Sequence, residues 1–335
     1  MQQSLVSIVI PFKNTSAFIA ECVESILNQT YTHWEAIFIN DHSTDNSKAI
    51  VATYAKNDHR IKLYDTNGHG IIDALQLAYS YSKGTFISRM DSDDIMTTNR
   101  IEIMVKSLLR SGLGHIAIGQ VKYFKKEGIS EGYAKYERWI NKLTATGSNF
   151  TEIYKECVIP SPCWMTYRED FEKAEAFRPN RYPEDYDLTF RFYAQKLVCT
   201  PCKTVLHLWR DYASRTSRIH EHYSQNYFLD IKLDYFLKLD YDSSRPLTVW
   251  GAGFKGKSIT KQLKSKSIPF YWICDNPKKI GKEIYGCTLR SFDYLKDLMS
   301  PQSIVTVANE DAQQEIKAYF NSQDMSPMTD YFFFC

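Results

Sequence analysis

The stretch Phe86-Ile87-Ser88-Arg89-Met90-Asp91-Ser92-Asp93-Asp94 is an apolar, β-prone run that ends abruptly in three carboxylates within four positions. A strand that delivers acids at its carboxyl end suits a hard, oxygen-seeking cation. Carboxylates this close repel one another unless a cation or a basic group neutralises them. Alone, the stretch leaves two readings open: a cation site, or a solvated acidic turn in which an Asp caps the next helix.

The sequence ahead of it separates the two. Leu5-Val6-Ser7-Ile8-Val9-Ile10-Pro11 has the β-branched character of a buried parallel strand closed by proline. Phe18, Ile19, Cys22, Ile26 and Leu27 fall at helical spacing within 15–28. A second apolar strand, 34–41, ends in Asn40 and Asp41, and the turn His42-Ser43-Thr44-Asp45 leads into a helix carrying Ile50, Val51 and Tyr54. Ile61-Lys62-Leu63-Tyr64 is a third strand, followed by the glycine loop Asn67-Gly68-His69-Gly70 and a helix over 71–81. Strand alternating with helix over about a hundred residues predicts a doubly wound α/β sheet with helices on both faces. Such sheets bind ligands beyond the carboxyl ends of their strands. Three of those ends carry polar clusters, at 11–14, 40–43 and 91–94. They predict one site, suited to a nucleoside diphosphate held by a metal.

The chain has 335 residues, comfortable for two domains, and its 44% hydrophobic and 24% charged content is that of an ordinary globular protein. A net charge of +2 gives no global bias toward nucleic acid, so no nucleic-acid partner is expected. Eight cysteines in this length do not suggest a disulfide framework, and no signal-peptide pattern precedes them. The expectation is a reduced, cytoplasmic chain. Apolar runs such as 5–12 are too short to span a bilayer.

The stretch 6–14 (Val6-Ser7-Ile8-Val9-Ile10-Pro11-Phe12-Lys13-Asn14), then Asn40-Asp41-His42-Ser43-Thr44-Asp45, then Arg89-Met90-Asp91-Ser92-Asp93-Asp94 resemble family 2 glycosyltransferases of the GT-A fold. Arg60-Ile61 and Asn67-Gly68 fit between them. Further on, Pro183-Glu184-Asp185-Tyr186-Asp187-Leu188 with Arg191 resembles that family's Glu-Asp motif, and Trp209-Arg210 with Arg215 and Ser217 its basic and hydroxyl motif. The likeness covers 4–240, and several independent motifs in order make it specific.

The resemblance implies an inverting transfer from a nucleotide sugar, UDP-linked by expectation, to a saccharide or lipid-linked glycan in cell-surface polysaccharide or glycoconjugate synthesis. It implies Mn²⁺ or Mg²⁺ on Asp93, with Asp91 toward the donor ribose or sugar and Asp94 in support. Asp41 would hold the base edge, walled by Pro11 and Phe12, and Asn14, Asn67 and Arg89 are substrate-side candidates in the same motifs. Asp185 would be the general base, with Glu184 its neighbour in the acceptor pocket. Arg210, Arg215 and Ser217 would meet the diphosphate. Any membrane contact would be peripheral, at the inner face, with the basic and aromatic stretch 133–142 as a candidate.

Plainer readings stand beside these. Asp185 could cap the helix it opens, Asp187 is structural, Arg89 could pair with the acids, and the arginines at 210, 215 and 218 could form a solvated basic face. His42 stands where the family commonly has glycine, so the turn could need another backbone conformation. Tyr212 stands where relatives often carry histidine, which weakens a second metal-side ligand there. His207 reads as a satisfied core histidine, and the lone Cys199-Thr200-Pro201-Cys202 as structural. In the middle of the chain, 116–124 is a strand, 133–154 a helix, and Trp164 either a sugar platform or core.

After a helix over 219–239, the polar run 240–246 is a hinge, giving expected domains of 1–240 and 246–335. Strand Leu247-Thr248-Val249-Trp250, then Gly251-Ala252-Gly253-Phe254-Lys255-Gly256, then a helix make a dinucleotide fingerprint. Asp275, ending the strand 270–275, fits a ribose contact. Further strands are expected at 303–308 and 331–334 and a helix at 312–320. This small Rossmann-like module leaves two roles open: nucleotide binding, or a structural or homodimerising part. A second function class follows from the first of these, an NAD(P)- or nucleotide-binding enzyme or sensor.

Overall fold

The structure, a computed structural model, describes residues 4–125, 128–213, 215 and 228–335. It forms two compact units: Met1–Phe150 with Cys157–Arg215, and Thr151–Glu156 with Thr216–Cys335.

In the first unit the chain runs β1 (Val6–Phe12), α1 (Ile19–Leu27), β2 (Trp34–Asn40), α2 (Ser47–Asn57), β3 (Ile61–Asp65), α3 (Ile71–Tyr81), β4 (Phe86–Arg89), β5 (Ile95–Met96) and α4 (Arg100–Ser111). It continues with β6 (His115–Phe124), α5 (Glu131–Thr146), β7 (Trp164–Tyr167), α6 (Arg168–Lys173), α7 (Glu184–Ala194) and β8 (Val198–Arg210). The eight strands order as β3-β2-β1-β4-β7-β6-β8-β5. β3, β2, β1 and β4 are parallel, whereas β7 runs antiparallel to both β4 and β6.

β1 and β2 are buried at every position because helices cover both faces. Val6, Ile8, Ile10 and Phe12 share one core with Ala36 and Phe38. Each such side chain contributes about 1.5–3 kcal/mol when fully buried. Register then sets the edge. Phe12 pairs with Asn40 and Val9 with Arg89, so the polar runs after β1, β2 and β4 emerge side by side.

Several elements lay beyond the sequence reading, among them β5, β7, α4 and α6 and, in the second unit, the strands Glu283–Ile284 and Cys287–Arg290. β5 and β7 are two and four residues long, too short to show a period. The helix expected over 133–154 ends at Thr146, where Gly147 takes a left-handed φ of 71°.

The second unit holds α8 (Leu229–Leu239), β9 (Leu247–Trp250), α9 (Phe254–Ser265), β10 (Tyr271–Ile273), β11 (Glu283–Ile284), β12 (Cys287–Arg290), β13 (Gln302–Val305), α10 (Glu310–Ser322) and β14 (Tyr331–Phe333). Its strand order is β11-β12-β10-β9-β13-β14, parallel except for β11. The order reverses at β9, the strand that feeds the glycine loop.

The expected boundary at 240–246 moves. α8 groups with the second unit, where Phe236 packs on Phe332 and Phe334 at 4.9 and 6.0 Å between ring centroids. Tyr154, from the inserted 151–156 segment, stacks on Phe334 at 5.2 Å. Apolar burial assigns these pieces, and the polar hinge after α8 marks only a turn. The 219–227 part of the expected helix lies outside the described residues.

Candidate active site

The acid turn after β4 is held by a buried line of polar contacts. Asp94 is fully buried, and its carboxylate accepts from the Arg210 amide at 2.7 Å and meets His207 Nε2 at 2.9 Å. His207 Nδ1 lies 3.0 Å from Arg100 Nη1. A guanidinium only donates, so Nδ1 accepts and Nε2–H points at Asp94. Burial, then Arg100, holds the His207 pKa well below its usual value. Arg100, itself fully buried, also donates to Ser88 Oγ, Arg89 O and Pro162 O. His207 is therefore the satisfied core histidine expected. Arg100 was not foreseen, since the first turn of a helix gives no sign of which way a guanidinium turns.

Asp93 is set up differently. Tyr212 Oη donates to its Oδ2 at 2.8 Å. Burial first, then the neighbouring Asp94 and Asp91, pushes its carboxyl up to about 7. Arg215 opposes that rise. Its guanidinium sits 5.7 Å from the Tyr123 ring and 5.1 Å from the Trp209 ring, which stack on each other at 5.0 Å. Asp91 Oδ1 accepts from Arg89 Nε at 3.0 Å, and Arg89 Nη1 donates to Glu184 Oε1 at 2.9 Å. Arg89 is thus a buried brace between two carboxylates, the plainer of its two readings. Oxygen donors crowded together in a partly desolvated turn fit a hard divalent cation, which would relieve the repulsion seen at Asp93.

After β2, on the other side of β1, Asp41 is buried. Its Oδ2 accepts from the Gly70 amide at 3.2 Å and Lys13 Nζ at 3.4 Å. Its Oδ1 is buried with no hydrogen-bond partner. An unsatisfied carboxylate oxygen is costly until a donor arrives. His42 keeps the left-handed conformation glycine would favour, at φ 53°, so the turn is not rebuilt. Its Nε2 lies 2.9 Å from Gly68 O, and its ring stacks on His69 at 4.6 Å. Pro11 and Phe12 are buried, Phe12 against Phe38, and back the pocket from the core. Asn67 is exposed on the loop after β3. Asn14 Oδ1 accepts from the Thr44 amide at 2.8 Å and its backbone amide donates to Ser43 Oγ, latching two loops together.

α7 begins at Glu184 after Pro183, with no side-chain cap. Asp185 therefore sits inside the first turn, not at the cap. Its Oδ1 accepts from the Tyr186 amide at 2.8 Å. Burial, then Glu184, raises its pKa, against Arg89. Asp187 is bound by Arg191 Nε at 2.8 Å and is structural. Trp164 is core, within 5.6 Å of Phe171 and of Phe192, so it offers no sugar platform. Arg210 Nε donates to the Asp93 carbonyl at 2.8 Å and Nη2 pairs with Glu21 at 3.0 Å. It fastens the acid turn. Ser217 and Arg218 lie outside the described residues.

Geometry thus gathers Asp91, Asp93, Asp94, Arg89, Glu184, Asp185 and Arg215 into one charge network, with Asp41 at the same edge of the sheet on the far side of β1. A model of the glycosyl transferase family 2 matches residues 7–174, half of the chain. The chain belongs to family 2 of the glycosyl transferases. Among curated members it is 36% identical over 115 residues to an Escherichia coli protein, UDP-Glc:alpha-D-GlcNAc-diphosphoundecaprenol beta-1,3-glucosyltransferase WfgD, covering 34% of this chain and 44% of that one. Over the curated relatives matched, the shared stretch spans 11% to 53% of the relative's own length. The fold is that of Staphylococcus aureus TarS 1-349, solved with UDP-GlcNAc, at TM-score 0.56 and 15% identity over 72% of this chain and 69% of TarS. Pyrobaculum calidifontis mannosyltransferase PcManGT, solved with GDP-Man and Mn²⁺, aligns at TM-score 0.51 and 15% identity over 71% and 64%. These neighbours place the first unit in the GT-A fold.

Beyond the family match lies the second unit's glycine loop. Gly251 has φ 123°, and a side chain there would meet Thr306 Oγ1 at 2.5 Å. One at Gly256 would collide with the Gly251 carbonyl, whereas one at Gly253 would face open space. Asp275 is already engaged: the Trp250 indole donates to its Oδ2 at 2.7 Å, and burial raises its pKa. Cys199 and Cys202, in the first unit, are buried free thiols. No helix among the described residues is long and apolar enough to cross a membrane.

Proposed function

We propose that the chain is an inverting glycosyltransferase, moving a sugar from a UDP-sugar to a hydroxyl of a saccharide or lipid-linked glycan in cell-surface glycan synthesis. The observation that carries this is the pairing of a crowded carboxylate turn after β4 with the unpartnered Oδ1 of Asp41 after β2, two strands that flank β1 at the same edge. That oxygen is a ready acceptor for a base N–H. WfgD is named for a UDP-glucose donor and a diphosphoundecaprenol-linked acceptor, and TarS was solved with UDP-GlcNAc, which supports the donor and acceptor classes.

In this reading the acceptor oxygen forms a bond to the anomeric carbon as the bond to the diphosphate breaks, and the diphosphate leaves with the electron pair. The acceptor proton passes to Asp185, whose raised pKa makes it a stronger base than an ordinary surface carboxylate. Arg215, fixed on its aromatic wall, faces the charge that gathers on the leaving group. A divalent cation bound at Asp93, Mn²⁺ or Mg²⁺, would supply Lewis-acid neutralisation of the diphosphate, with Asp91 toward the donor ribose or sugar.

Donor hydrolysis and transfer assays with UDP- and GDP-sugars, with and without Mn²⁺ or Mg²⁺, test the reading. It fails if no nucleotide sugar is bound or turned over and Asp93→Ala changes nothing. A second reading concerns the glycine loop. There, open space above Gly253 between two locked glycines supports a nucleotide diphosphate on the α9 N-terminus. Calorimetric titration with NAD(H), NADP(H) and nucleotide sugars checks it, and silence across that panel leaves the module structural.

A further inference from the structure

Asp41, His42 and His69 bring one ligand atom each to within 4.8 Å of one another, from the β2 end and the loop after β3. Both imidazoles are exposed, while the Asp41 side chain is only 7% exposed. Three details go beyond proximity. Asp41 Oδ1 is buried and unpartnered, an acceptor with nothing to accept. His42 Nε2 lies 2.9 Å from the Gly68 carbonyl. A carbonyl only accepts, so Nε2 carries the proton and Nδ1 is left as the basic nitrogen. A ring oriented by a backbone carbonyl through its other nitrogen is the arrangement metal-binding histidines use. The His69 ring stacks on it at 4.6 Å, which brings the second imidazole alongside.

We propose that Asp41, His42 and His69 form a transition-metal site of the Zn²⁺ class, whose occupation excludes the nucleotide. Two imidazoles and one carboxylate suit Zn²⁺, Cu²⁺ or Ni²⁺. They contrast with the oxygen-only set of the acid turn, which suits Mn²⁺ or Mg²⁺. Three protein ligands leave a fourth position for water. The exclusion follows from Asp41, whose single carboxylate cannot serve the metal and a base N–H at once. This second half rests on the proposed nucleotide role of Asp41; the metal site itself does not.

The test uses the full chain carrying Asp93→Asn, which weakens metal binding at the acid turn. Calorimetry with ZnCl₂, and Co²⁺ absorption as a coordination probe, compare it with the same chain also carrying His42→Gly and His69→Ala. Glycine suits the positive φ at 42, so this variant keeps its fold, which a thermal melt verifies. One equivalent of Zn²⁺ should bind with both histidines present and weaken about a hundredfold without them. Saturating UDP should weaken Zn²⁺ binding about tenfold in the histidine-intact chain. Equal Zn²⁺ binding with and without the histidines, or none in either, overturns the site. UDP that binds without displacing Zn²⁺ overturns the exclusion. Zn²⁺ uptake through the histidines, with UDP failing to bind even the chain that keeps Asp93 in saturating Mn²⁺, breaks the donor reading and the exclusion together, and leaves the metal site standing.

Discussion

The two sheets of this chain present the same topological opportunity and equip it in opposite ways. Both contain a run of four or more parallel strands, and both end key strands in polar loops at the carboxyl edge. On the first, the edge is crowded with carboxylates and arginines at short range, and Asp93 is driven to about 7. On the second, the edge is sparser: glycines locked at 251 and 256, open at 253, Lys279 Nζ on the Ala252 carbonyl at 3.2 Å, and one acid already tied to an indole. Charge under strain suits a reaction in which charge moves, while an edge with fewer charges suits holding a ligand still.

Breaking the first edge should have the largest effects. Asp93→Asn, which removes a ligand charge without changing volume, should reduce sugar transfer about 10³-fold, since metal-assisted charge neutralisation contributes several kcal/mol. Steady-state rates at saturating Mn²⁺ measure this. Asp185→Asn should lower kcat about 10²-fold while donor binding persists, and a variant with unchanged kcat would remove Asp185 as base. Asp41→Ala should weaken donor binding ten- to a hundredfold, about 1.5–3 kcal/mol for a hydrogen bond to a charged group, with kcat little changed.

Two further tests sharpen the comparison through stability. A carboxyl raised from 3.8 to about 7 favours the protonated folded form. Its contribution to folding is full below about pH 4 and is lost as pH rises through about 7. A cation binds the deprotonated form, so the thermal shift from Mn²⁺ should grow as pH climbs through that window. A flat shift across it would count against a cation at Asp93. At the other edge, Gly256→Ala should cost the second unit about 1–3 kcal/mol by overpacking. Sugar transfer should be unaffected in material that remains folded, and a comparable loss of transfer would tie the two edges together.

Much of this was readable from one dimension, and the reasons are physical. β-branched runs closed by proline or acids announce buried parallel strands, and motif order supplied Asp41, Asp93 and Asp185. What stayed hidden depends on directions that spacing does not encode. Nothing in Asn99-Arg100-Ile101 shows that the arginine turns inward to seat His207. Tyr212, discounted for not being histidine, reaches Asp93 with its hydroxyl instead. Asn14 lies in a binding motif and its Oδ1 holds a loop. Arg210 sets one donor on the acid turn and another on Glu21 of α1. The allegiance of α8 was set by aromatic packing over a distance in sequence that no window spans.

The line from Asp94 through His207 to Arg100 makes the imidazole a listening post. Its ring is sealed from solvent and its tautomer is dictated by its neighbours. In a nitrogen-labelled sample, its two resonances would report on the electrical state of the acid turn from behind. The arrival of a cation, the departure of a diphosphate or a proton settling on Asp94 would each leave a different mark on a group that touches none of them except Asp94.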